Sequence, residues 1–118
     1  MKILIAITTG RPNFKDTLDL IAQNIEQFGH FDQNIINVAI NYDCSYLNAP
    51  KNSFSYNTEE SDLFEKKIYI GKNNVESYID FMVNNNIDRK IAETLSQSVG
   101  YSNKKNLVLI EAIRNNYD

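Results

Sequence analysis

A chain of 118 residues, 42% of them hydrophobic, suffices for one domain around one modest core, and the whole of 1–118 reads as a single α/β unit. A net charge of -3 with no basic stripe excludes a nucleic-acid partner, which needs clustered Lys and Arg. One cysteine (Cys44) and one histidine (His30) exclude an internal disulfide and a zinc site of the usual kind, so no metal ligands are assigned. Lys2 to Thr8 is apolar at nearly every position, as a strand buried on both faces requires, and too short for a signal core or a membrane span. No transmembrane segment and a cytoplasmic location are therefore expected. Gly10 and Pro12 break the strand, and Asn13 is placed to cap the helix that follows. Phe14, Leu18, Ile21, Ile25 and Phe28 recur at spacings of three and four, predicting a helix over 14–28 closed by Gly29.

Asn34 to Asn41 predicts a second buried strand, which completes a strand–helix–strand unit. Periodicity is lost from Tyr42 to Leu63, where Asn, Ser, Tyr and Pro dominate. A third strand is expected over 65–70. Val75, Tyr78, Ile79 and Met82 then predict a helix over 75–84, and Ile87, Ile91, Leu95 and Val99 another over 87–98. The three asparagines at 84–86 either separate these two or break one longer helix. A last helix over 103–115, capped by Ser102, carries Leu109, Ile110, Ile113 and Tyr117. Strands alternating with amphipathic helices predict a Rossmann-like three-layer α/β/α arrangement with a mainly parallel sheet.

In open sheets of this class, ligands bind at the carboxyl ends of the strands, here Thr8–Arg11, Asn41–Ser45 and Gly71–Lys72. Thr8-Thr9-Gly10-Arg11-Pro12 offers hydroxyls, a guanidinium and a glycine that permits close approach, or else is an ordinary strand-to-helix turn. Neither a Walker loop nor a Gly-x-Gly-x-x-Gly loop occurs in the chain. Asp43 with Ser45 can accept hydrogen bonds from a base or a ribose, or can make an Asx turn. Lys104 and Lys105 stand at a helix start, where acidic residues are favoured, which points to a duty other than helix stability. His30 reads as a surface residue and Cys44 as an inert thiol. Tyr42, Tyr46, Phe54 and Tyr56 can stack on a ligand or pin the aperiodic stretch to the sheet.

In order and position these pieces resemble the N-terminal part of a GT-A-fold glycosyltransferase of the family-two type. That family opens with a strand ending in Pro-Thr-x-Asn-Arg-Pro, which Thr8-Thr9-Gly10-Arg11-Pro12 approaches one residue short. Its second strand ends in Asp-x-Ser, as Asp43-Cys44-Ser45 does. A Gly, small residues and Arg-Asn opening a helix are similar to Gly100, Ser102 and Lys105-Asn106, with Lys in place of Arg. The resemblance implies a nucleotide-sugar ligand held by Thr8, Thr9, Arg11, Asp43 and Lys105. It also implies a divalent cation, Mn or Mg, bound by an Asp-x-Asp motif that these residues do not contain. By the resemblance the chain is therefore an incomplete glycosyltransferase domain with no assigned catalytic residue. The alternative is a non-catalytic α/β module that binds a nucleotide or a protein, with open sheet edges suited to self-association.

Overall fold

A computed structural model of the chain describes residues 1–29, 35–56, 63–97 and 101–118. Strand β1 (Lys2–Thr9) leads into helix α1 (Phe14–Phe28) and strand β2 (Ile35–Tyr42). A 3-10 helix (Lys51–Phe54) interrupts the connection to β3 (Lys66–Ile70). A second 3-10 turn (Lys72–Asn74) runs directly into α2 (Val75–Asn84), followed by α3 (Arg89–Leu95) and α4 (Tyr101–Arg114). Among the described residues the sheet has three strands in the order β1-β2-β3, both pairs parallel. Lys2 to Thr9 lie opposite Ile35 to Tyr42, and Asn37 to Asn41 lie opposite Lys66 to Ile70.

Side chains alternate across a strand, and the central strand β2 is buried on both faces, apolar on one and carrying Asn37 and Asn41 beside Ala39 on the other. Ile36, Val38, Ile40 and Tyr42 face one core, with Phe14, Leu18 and Ala22 of α1 and with Phe54, Tyr56 and Phe64 of the second crossover. Ala39 and Ile70 face a second core, made with Tyr78, Ile79 and Met82 of α2, Ala92 of α3, and Leu107 and Ile110 of α4. The sheet thus carries α1 and residues 49–56 of the second crossover on one face and the last three helices on the other. No helix among the described residues is long and apolar enough to cross a membrane.

Several local expectations are corrected. Asn13 makes no side-chain cap, and Gly29 is extended (φ -93°) while its N–H still closes on the Ile25 carbonyl at 2.8 Å. The asparagine run does separate two helices, with Asn86 at φ 69° after α2. Asp88 then caps α3, its carboxylate accepting from the Lys90 and Ile91 amides at 3.0 and 3.3 Å. The helix expected over 87–98 is consequently shorter, Arg89–Leu95, and rests on the small side chain of Ala92 while Ile91 is 55% exposed.

In α4 the face is rotated from the one expected. Leu107 and Ile110 are buried, whereas Leu109 and Ile113 are 62% and 68% exposed. Leu107 to Ile110 is an unbroken apolar run that fits more than one helical face, so spacing alone does not determine its phase. His30, Asn34, Gly100 and the Ser102 side chain lie outside the described residues.

Candidate functional site

Parallel pairing ends β1 and β2 side by side, and the ladder continues one step beyond β2, where the Asp43 amide donates to the Thr9 carbonyl at 2.9 Å. The chain then turns sharply. One oxygen of Asp43 accepts from the Ser45 amide at 2.9 Å and from its hydroxyl at 2.6 Å, an Asx turn that fixes the carboxylate at the strand tip.

From the other side of the sheet, the first turn of α4 is drawn onto the same tip. The Asn41 side-chain amide donates to the Lys104 carbonyl, and the Lys104 ammonium donates to the Tyr42 carbonyl at 3.0 Å. Lys104 is only 5% exposed. The other polar atom of the Asn41 side chain, its Oδ1, is buried without a hydrogen-bond partner among the described residues.

The two charges tune each other. Burial pushes the Asp43 carboxyl upward, but the Ser45 hydroxyl and amide and the nearby Lys104 charge outweigh it and leave it below the ordinary carboxylate value. Burial lowers the Lys104 ammonium from its usual value, with Asp43 and then Cys44 opposing that shift. A lysine held in so dry a place with one carbonyl acceptor among the described residues is a cost to the fold, and such costs concentrate where a ligand is handled.

Around this pair lies a cavity of about 370 Å³, lined by Tyr42, Asp43, Cys44, Ser45, Lys51, Lys72, Asn73 and Lys104. Among the described residues three lysines face one carboxylate there, which gives this lining a cationic character. It adjoins a larger cavity of about 680 Å³ lined by Tyr42, Lys51, Asn52, Ser55, Tyr69 and Asn74, so Tyr42 and Lys51 belong to both. Both volumes suit a small molecule. The Tyr42 ring that divides them is stacked on Phe54 at 5.3 Å and rests against Gly71, where a Cβ would collide with its hydroxyl.

Of the residues singled out from the sequence, Asp43 lines the cationic cavity. Thr9 meets Asp43 through its backbone, but its hydroxyl is taken by the Arg11 amide at 2.9 Å and the Arg11 carbonyl at 3.0 Å. Arg11 sits at the same end of the sheet with its guanidinium over the Tyr46 ring, 5.7 Å from the centroid. That ring also packs against Gly10, where a Cβ would lie 2.5 Å from the Tyr46 Cβ. Thr8, Thr9 and Arg11 do not line the two cavities.

Lys105 is exposed and likewise outside them; its neighbour Lys104 is the lysine that enters. Among the four aromatics, Tyr42, Phe54 and Tyr56 pin the aperiodic segment into the core, and Tyr46 holds Arg11. Lys72 is legible from the sequence as a strand-end residue. Lys51 gives no such signal, because it lies in a stretch without periodicity.

Among the described residues no three His, Cys, Asp or Glu side chains come together to hold a metal ion. The divalent cation implied by the resemblance therefore finds no ligand set there, and no chemical step is assigned to it. In comparisons with protein-family models, curated proteins and solved structures, nothing matches this chain.

Proposed function

We propose that the crevice at the carboxyl ends of β2 and β3 binds a nucleoside diphosphate or its sugar conjugate, as the nucleotide-binding portion of a Rossmann-like, GT-A-type glycosyltransferase domain. The observation that carries the reading is the buried Lys104 ammonium, held by the Tyr42 carbonyl beside Asp43 and facing a cavity that Lys51 and Lys72 also line. In this arrangement the three lysines meet phosphate oxygens, and Lys104, already partly desolvated, forms the strongest of these bonds. Asp43 keeps one oxygen on Ser45 and offers the other to a ribose hydroxyl pair or a base N–H. Thr8, Thr9 and Arg11 stand outside the two cavities at the same end of the sheet, within reach of a ligand that extends past Asp43, and Lys105 adds charge from the exposed side of α4.

The reading is one of binding. A non-catalytic α/β module that binds a nucleotide or a protein partner is the second reading.

Calorimetric titration with uridine, guanosine and adenosine diphosphates and their glucose conjugates tests it. Saturable binding by at least one nucleotide is expected, and Asp43→Ala should weaken it about tenfold while the domain stays folded. No saturation up to millimolar ligand, or equal affinity in Asp43→Ala, would overturn the reading.

A further inference from the structure

Hydrogen bonding fixes which side of β1 is open. In a parallel pair, alternate residues of a strand turn both N–H and C=O towards the same neighbour. The Ile35 amide donates to the Met1 carbonyl and the Asp43 amide to the Thr9 carbonyl, so the odd-numbered residues of β1 face β2. Lys2, Leu4, Ala6 and Thr8 therefore turn their N–H and C=O outward, along the edge of the sheet. Asp118 closes the start of that edge. Its amide donates to the Lys2 carbonyl at 2.8 Å, and its carboxylate accepts from the Lys2 amide at 2.6 Å. Among the described residues the outward groups of Leu4, Ala6 and Thr8 have no hydrogen-bond partner.

The two edges of the sheet differ. At the far edge, β3 is five residues long and begins with Lys66-Lys67, and short length and lysines both discourage pairing with another chain. β1 is eight residues long, pairs with β2 without a bulge, and carries neither a charge nor a proline between Lys2 and Thr9. Ile3, Ile5 and Ile7 are only partly buried against the first core, and Ala6 is exposed. A long apolar edge with open backbone donors and acceptors fits one kind of partner, another extended strand.

We infer that this strand is β1 of a second copy, paired antiparallel about a two-fold axis at Ala6. The open stretch is symmetric about that residue. Leu4 of each copy then lies opposite Thr8 of the other, and the two Ala6 residues lie opposite each other, each pair exchanging both N–H···O=C bonds. Any other register brings one of the three against Lys2, already held by Asp118, or against the bend at Gly10. On the α1 side of the sheet the same register sets Ile5 of one copy against Ile7 of the other, a favourable β-branched pair. A two-fold contact of this kind is closed, so it joins two sheets into one and stops there. It lies at the opposite edge from β3 and is independent of the nucleotide reading.

Sedimentation and amide hydrogen exchange of the whole chain, each over a range of concentrations, test the pairing. The expected particle has twice the chain mass of 13.6 kDa. As it forms, the Leu4, Ala6 and Thr8 amides should become protected, whereas those of Ile5 and Ile7, which face β2, are protected throughout. Ala6→Lys keeps an exposed side chain in the single copy and sets two ammonium groups opposite each other in the pair. Ala6→Pro removes the outward N–H and leaves the β1–β2 bonds alone. Either should raise the dissociation constant of the pair about tenfold or more, and Ala6→Lys keeps the test open should the proline variant fold poorly. Leu109→Lys, on the exposed side of α4, should leave it unchanged.

A chain that stays single up to millimolar concentration would overturn the inference. So would a dimer in which the Leu4, Ala6 and Thr8 amides still exchange freely, or one lost in Leu109→Lys and kept in Ala6→Lys. Protection of those three amides in the single chain would show that the edge is covered from within, and also defeats the pairing.

Discussion

Replacing Phe54 by alanine is expected to destabilise the domain by about 3–5 kcal/mol, the usual cost of emptying a buried aromatic site. Phe54 is buried and stacks between Phe14 of α1, 6.3 Å away, and Tyr42 of β2, 5.3 Å away. Its backbone is a single 3-10 turn, closed by the Ser53 amide on the Pro50 carbonyl and the Ser55 amide on the Asn52 carbonyl. So short a turn has little stability of its own, and its one large apolar side chain is what binds it to the sheet. Domains of this size have roughly 5–15 kcal/mol to lose, so the change removes a large part of the total. Urea denaturation of parent and variant measures it. Leu109→Ala, at an exposed position of α4, is the matched control and should shift the midpoint little. Equal effects of the two substitutions would mean that the second crossover is not held as described.

Lys104→Met is expected to separate stability from binding. The variant keeps most of the side-chain volume and removes a buried ammonium that has one carbonyl acceptor among the described residues. Burying such a charge is unfavourable, and replacing it by an apolar group of similar shape is often neutral or stabilising. The melting temperature should therefore hold or rise. The Tyr42 carbonyl left behind sits at a cavity wall where water can reach it. Nucleotide affinity should fall by about 10- to 100-fold, the range for losing a charge-assisted hydrogen bond to phosphate. Loss of stability together with unchanged affinity would reverse the assignment and make Lys104 a structural residue.

Much of the fold can be read from the residues. The three strands and α1 follow from runs of apolar side chains with a readable period, as in Ile36, Val38 and Ile40 and in Phe14, Leu18 and Ile25. The phases of α3 and α4 cannot be read, because Ile91 and Leu109 are as apolar as the residues that are buried in their stead. Which side of a helix meets the sheet is decided by tertiary packing, here by the small Ala92 and by the pull of Asn41 on the Lys104 carbonyl.

The site is legible in part for a related reason. Asp43 and Lys72 stand directly at strand ends, which the architecture places together. Lys104 rather than Lys105 enters the crevice because one residue is a rotation of about 100° on a helix, and the sequence does not record that phase. Lys51 reaches the crevice only through the anchoring of Phe54, a long-range contact with no local pattern. Arg11, expected in the crevice from its place after β1, is held at the rim by Tyr46, a partner 35 residues away.

If Asp43, Lys51, Lys72 and Lys104 form one anion-binding crevice, a nucleoside diphosphate must perturb all four of their neighbourhoods at once. Amide chemical-shift mapping by NMR, with the nucleotide titrated into the uniformly labelled chain, reads each neighbourhood separately. Saturable shifts are expected at residues 42–45, at Lys51, at 72–73 and in the first turn of α4 around Lys104. Shifts centred instead on the Asp88–Leu95 surface, or no saturable shift at millimolar nucleotide, would show that these four residues do not make a nucleotide site.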